Sequence, residues 1–151
     1  MPKEICKKNI LEKFNMSGCN AIDILLVVNE KLRQDDGSKK SDASLYRSLV
    51  GSLLYLTSTR PNIIFDASLL SRYMQSPTLN HMGAAKKVLR YLQGTLDYEI
   101  LYQPMKDSKL VGFSDSDWAG CLDDIRSTSS YVFSLGSGIC SWSSKKQKIV
   151  V

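Results

Sequence analysis

Two aspartates, Asp115 and Asp117, close the apolar run Leu110-Val111-Gly112-Phe113 and stand just ahead of Trp118-Ala119-Gly120. Read as a strand, Val111, Phe113, Asp115 and Asp117 share one face, because side chains alternate with period two. A carboxylate on the apolar side of a strand is costly unless a cation or a hydrogen-bond donor meets it there. A divalent metal is one such partner, since Mg²⁺ takes one or two protein carboxylates and leaves the rest to water and substrate phosphate. The plainer alternative is an edge strand whose last residues face water. Asp123-Asp124 follows in a turn, and Asp35-Asp36 stands in a Gly/Ser-bearing stretch. Both acidic pairs read as solvated turns.

The basic residues offer a second chemistry. Lys86, Lys87 and Arg90 fall on the outer side of a helical stretch, and Lys145, Lys146 and Lys148 follow the last apolar run. A nucleic-acid backbone uses such groups as point charges, with Arg preferred for bidentate phosphate contact. Cations opposite an apolar stripe are equally the wet face of an ordinary helix. Trp118 and Trp142 are able to stack on bases, though aromatic side chains also serve core packing. His81, the only histidine, has no acid or nucleophile pattern around it and reads as a local hydrogen-bonding residue. The Ser143-Ser144-Lys145-Lys146 match to S-x-x-K arises often by chance. Cys6, Cys19, Cys121 and Cys140 form no C-x-x-C pair, so reduced, incidental thiols are expected.

These residues sit in a chain of 151 residues, 43% hydrophobic and 23% charged, with net charge +5. One modest core or two small ones fit that composition, and wholesale disorder does not. Residues 1–40 carry eight basic and six acidic side chains, 41–106 seven and four, and 107–151 five and five, so the positive excess precedes the acidic strand. No apolar run approaches the roughly 18–20 residues that span a bilayer. The N-terminus has no signal-peptide pattern, so an intracellular protein, cytoplasmic or nuclear, is expected.

The elements that position the candidate residues follow from periodicity. Residues 3–14 read as a short amphipathic helix, with Ile5, Ile10, Leu11 and Phe14 inside and Lys7 among the polar positions. Residues 29–44 read as a mobile polar linker. Ser41 or Asp42 caps a helix that runs through Leu45, Leu49, Leu53 and Leu56 and stops at Pro61. A second helix is predicted over Ile63 to Gln75. A third runs from about Leu79 to Gln93, with Gly94 as its C′ residue. Tyr98 to Tyr102 alternates as a strand, and residues 109–144 read as a three-stranded antiparallel meander turned by Gly136-Ser137-Gly138.

Gly112 to Gly120 fits G-[YF]-S-D-x-D-W-A-G, Arg126 to Phe133 fits R-S-T-S-G-Y-x-F apart from Ser130, and Ser141 to Gln147 fits S-W-x-S-K-K-Q. This closely resembles the opening of the ribonuclease H domain in copia-type retrotransposon Pol polyproteins. Tyr46 to Leu56, Arg60-Pro61, Ser76-Pro77, His81 and Arg90 to Thr95 resemble the thumb and connection region of the same polyproteins. Asn62 stands where that family commonly has Asp. The resemblance implies an α+β chain: a reverse transcriptase connection-like segment over 1–106, then an incomplete ribonuclease H-like domain over 107–151.

It also implies chemistry. Such ribonucleases hold two divalent metals about 3.5–4 Å apart in a cluster of four carboxylates. Asp115 would be the first carboxylate and a metal ligand, with Asp117 orienting the turn. The second, a Glu in an S-x-E-A-E-Y-like motif on the following helix, does not occur in these 151 residues, and neither does the polymerase Val-Asp-Asp motif. The expectation is a Pol segment without catalysis of its own, holding no Mg²⁺ stably. Its alternatives are a nucleic-acid-binding module retained from the connection region, or part of a longer active RNA–DNA hybrid ribonuclease. The partners implied are an RNA–DNA hybrid or other nucleic acid, met by Lys86, Lys87, Arg90, Lys145 and Lys146. Apolar strands without cover also raise self-association through an open sheet edge.

Overall fold

The computed structural model describes residues 3–25, 32–117 and 120–148, with the side chains of residues 3–5 outside that description. The chain is mixed α and β, and it forms two compact units, Met1–Tyr98 and Glu99–Val151. Residues 99–106, read with the helices above, belong to the second unit.

The first unit holds α1 (Lys3–Lys13), α2 (Ala43–Leu56), a 3₁₀ turn at Pro61–Ile63, α3 (Ile64–Ser71) and α4 (Leu79–Gly94). α1 ends in a Schellman arrangement: Asn15 takes φ 52°, the Met16 N–H reaches the Leu11 carbonyl at 2.8 Å, and the Asn15 N–H reaches that of Glu12 at 3.0 Å. α2 starts where the sequence places it, with the Asp42 carboxylate accepting from the N–H groups of Ser44 (2.8 Å) and Leu45 (3.1 Å). Its Tyr46, Leu49, Val50, Leu53 and Leu56 pack with Ile63, Ala67 and Leu70 and with Ala85, Val88, Leu89 and Leu92 of α4 into one core. Leu45, read in the stripe, is about half exposed instead.

Three expectations need correction. The helix predicted over Ile63–Gln75 is a 3₁₀ turn followed by the shorter α3, because Arg72 N–H closes onto Leu69 and Leu70 carbonyls. Gly94 is the last helical residue rather than a left-handed C′. Its lack of a side chain has another cause, since a Cβ there would stand 3.0 Å from that of Ala21. The stretch 32–42 is fastened rather than free: Leu79 N–H donates to the Lys39 carbonyl and Ser41 N–H to that of Pro77, each at 2.9 Å. Residues 26–31, which include the start of the expected linker, lie outside the described residues.

The second unit is the expected meander: β1 (Leu110–Ser116), β2 (Thr128–Leu135) and β3 (Gly138–Lys146), antiparallel in the order β1-β2-β3. Asp115 stands opposite Ser130, which stands opposite Ser144. Gly136, at φ 59°, makes the tight β2–β3 turn, and a bulge follows Phe133. Residues 98–102 form no strand. The Tyr102 hydroxyl donates to the Ile139 carbonyl (2.6 Å), and Gln103 N–H donates to Ser137 Oγ (2.8 Å), so side chains do the fastening that a ladder would. No helix among the described residues is long and apolar enough to cross a membrane. All four cysteines are free thiols.

Candidate functional site

Asp115 lies on β1, the edge strand, and is exposed along with the rest of that strand. Its Oδ1 accepts the N–H of Ser116 at 2.9 Å. Across the sheet its row continues in hydroxyls, with Ser130 Oγ donating to Ser144 Oγ at 2.9 Å. Asp117 is half-buried and turned to the start of β2, its Oδ1 accepting the Thr128 N–H and its N–H donating to the Thr128 carbonyl. Among the described residues no three His, Cys, Asp or Glu side chains gather as a metal site. The residues present do not fit a pair of dications: one exposed carboxylate bonded to a neighbouring amide leaves an ion almost wholly to water. Trp118 and Ala119 lie outside the described residues. Trp142 is half-buried opposite Val132.

α4 brings Lys86, Lys87 and Arg90 within about one turn, Arg90 standing i+4 from Lys86 and i+3 from Lys87. Lys86 is exposed, and the other two are half-exposed. Arg90 is held in place by its Nε, which donates to the Asn20 carbonyl at 2.7 Å. Lys87 and Arg90 form one wall of an open groove of about 380 Å³ whose other wall is Ile22, Asp23, Ile24 and Leu25. Asp23 adds a carboxylate to the lining of the same groove.

The second unit places Lys145 and Lys146 differently from each other. Lys145 is exposed. Lys146 is engaged, its ammonium 2.5 Å from the Asp124 carboxylate, which also lies 3.5 Å from Arg126 Nε. The hydrogen bond from Lys146 holds the Asp124 carboxyl down to about 2. Asp124 is thus a paired side chain and not a solvated turn residue. Lys148 is exposed.

Two polyproteins align with nearly all of this. Over 143 residues the chain is 43% identical to the Retrovirus-related Pol polyprotein from transposon RE2 of Arabidopsis thaliana, covering 95% of the chain and 10% of that protein. Over 150 residues it is 34% identical to the Retrovirus-related Pol polyprotein from transposon TNT 1-94 of Nicotiana tabacum, covering 95% of the chain and 11% of that protein. The chain belongs to the copia-type retrotransposon Pol family. It spans about a tenth of the length of the Pol polyproteins it matches. A further relative is the Secreted RxLR effector protein 161 of Plasmopara viticola, 45% identical over 106 residues, which are 70% of this chain and 75% of that protein. No protein-family model and no solved structure matches the chain.

This Pol segment also relies on polar residues that period and motif did not single out. Lys7, placed on the wet face of α1 by its sequence position, is buried, and its Nζ donates to the carbonyls of Leu96 (2.6 Å) and Tyr98 (2.9 Å). Arg60 is buried as well. It donates from Nη1 to the carbonyls of Thr95 (2.8 Å) and Tyr98 (3.1 Å), and from Nη2 to Thr95 Oγ1 (2.6 Å). Burial lowers its pKa. Two cations therefore satisfy carbonyls of the segment Thr95 to Tyr98 that follows α4.

At the other end of α4, Thr78 Oγ1 and the Thr78 N–H meet His81, whose Nδ1 accepts that N–H at 2.9 Å. The His81 ring stacks on Tyr73 at 4.0 Å, in keeping with the local hydrogen-bonding role read from sequence. Asp36 accepts from Ser38 N–H (2.9 Å), Ser38 Oγ (2.7 Å) and Thr78 Oγ1 (2.9 Å). Those bonds, from Ser38 above all, hold its carboxyl far below the usual carboxylate range. Asp36 therefore anchors the start of α4, and the solvated-turn reading fails for it too. The Arg60-Pro61 and His81 matches in the family motif were the available signals, and nothing in local periodicity marked Lys7.

Proposed function

We propose that this Pol segment contacts the phosphate backbone of an RNA–DNA hybrid through α4 and does not cleave it by itself. The observation that carries the reading is the placement of Lys86, Lys87 and Arg90 within one turn on the outer face of α4, with Arg90 positioned by Asn20. Lys146 is occupied by Asp124, so at the end of β3 the second unit adds the exposed Lys145 and Lys148. Cleavage by the two-metal route needs several carboxylates around both ions, and Asp115 stands with serine hydroxyls rather than with acids.

Binding to a labelled hybrid, followed across salt concentration, tests the contact. Each neutralised duplex phosphate contributes about −0.9 to the slope of log K against log salt. Replacing Lys86, Lys87 and Arg90 together by Ala should flatten the slope by about 2–3. Asp23→Asn should tighten binding, because it removes a carboxylate that lines the groove. An unchanged slope in the triple variant, or no binding at low salt, would overturn the proposal. The second half is tested by incubating the hybrid with the chain and Mg²⁺ or Mn²⁺. No cleavage is expected, and cleavage abolished by Asp115→Asn would refute it.

A further inference from the structure

The loop that follows α1 is strapped across the last turns of α4. Gly18 N–H donates to Gln93 Oε1 at 3.1 Å, and Arg90 Nε donates to the Asn20 carbonyl at 2.7 Å. A Cβ at position 94 would stand 3.0 Å from that of Ala21. Positions 90, 93 and 94 are i, i+3 and i+4, so these contacts fall on one face of the helix. Two glycines make the crossing possible, for different reasons. Gly18, at φ 70°, takes a left-handed turn that other residues rarely adopt. Gly94 is helical and supplies room, because the Ala21 methyl stands against the place its side chain would occupy.

The strap decides what Arg90 is able to do. Its Nε is taken by the Asn20 carbonyl, and among the described residues nothing takes Nη1 or Nη2. Those two nitrogens present parallel N–H groups that match two oxygens of one phosphate. A carbonyl that already holds Nε fixes the planar fork before a ligand arrives, so less side-chain freedom is lost on contact. Lys86, exposed one turn earlier, offers only a point charge on a flexible stem. We propose that Gly94 is a positioning residue for phosphate recognition. By seating the 18–22 loop on α4, it lets Asn20 hold Arg90 by Nε and present the Nη1–Nη2 fork to a single backbone phosphate. This rests on the reading that α4 meets a nucleic-acid backbone, and it adds that Arg90 recognises phosphate geometry where Lys86 supplies charge.

Charge and geometry separate when hybrid binding is titrated with salt. Arg90→Lys keeps the charge, so the slope of log K against log salt should match that of the parent chain. Affinity at each salt concentration should fall about tenfold, because one ammonium does not reproduce the fork. Gly94→Val should give a similar fall at the same slope. In the Arg90→Lys chain it should have almost no further effect, since its action runs through Arg90. Gly94→Ala should weaken binding less, and adding Ala21→Gly, which returns the room, should restore it. In the free chain the Arg90 Nε–H should give a slowly exchanging NMR signal that Gly94→Val removes while circular dichroism stays unchanged. Affinity unaltered by Arg90→Lys, or a Gly94→Val loss that persists in full in the Arg90→Lys chain, would overturn the proposal and leave the α4 contact standing. No binding at low salt would overturn both.

Discussion

The helical unit and the sheet unit treat their apolar residues in opposite ways. Every buried hydrophobic side chain from Ile10 to Leu92 joins one core in the first unit, while among the described residues of the second only Cys121 belongs to the buried apolar set. Leu110, Val111, Phe113, Tyr131, Phe133 and Leu135 all remain at least 38% exposed. An apolar side chain left in water forgoes roughly 1.5–3 kcal/mol of burial, against a whole domain's margin of about 5–15 kcal/mol. The difference shows that a regular hydrogen-bonded ladder and a stable unit are separate achievements. The meander has the ladder with most of its apolar side chains exposed, and the helical unit has the buried core.

The largest expected effect contrasts the two directly. Leu89→Ala removes a fully buried side chain between α4 and its neighbours and should cost about 2–5 kcal/mol in denaturant unfolding. Phe113→Ala, on the exposed strand, should change stability by less than about 0.5 kcal/mol in a monomer. Similar losses at both positions would break the comparison.

A middle-sized effect tests the polar fastening of the first unit. Arg60→Met leaves the Thr95 and Tyr98 carbonyls without that donor and should cost about 1–3 kcal/mol. Arg60→Lys should recover only part of it, because one ammonium cannot reproduce the planar fork.

How much of this was legible in the sequence follows from range. The α2 cap at Asp42, the α4 stripe, the α2 stripe apart from Leu45, the meander and the Gly136 turn follow from local pattern and stand as read. Lys7 was misread because its partners lie about ninety residues along the chain. Asp36 looked like a solvated turn because its partner Thr78 belongs to the start of α4, and Asp124 because Lys146 comes from β3. At the candidate site, motif spacing singled out Asp115 and helical period grouped Lys86, Lys87 and Arg90, whereas the engagement of Lys146 with Asp124 required the folded register. Tyr98 to Tyr102 alternates like a strand but has no ladder partner, so its pattern was spent on side-chain contacts.

The smallest expected effect is on acid stability. Asp36 and Asp124 both have folded pKa values below their unfolded ones, so each contributes stability above the unfolded value near pH 4. That contribution fades as pH falls toward the folded values, for Asp124 down to about 2. Melting followed from pH 6 to pH 2 should therefore show a loss that Asp36→Asn blunts in the helical unit and Asp124→Asn in the sheet. An acid slope untouched by both would remove this part of the comparison.

Native-state hydrogen exchange on the chain, diluted until sedimentation shows a monomer, tests the central contrast most directly. Backbone amides of α2 and α4 should exchange slowly, as members of one cooperative core, and those of β1 should exchange orders of magnitude faster. Slow exchange throughout residues 110–142 in that monomer would contradict the account, because the meander would then be stable with its apolar faces exposed to water.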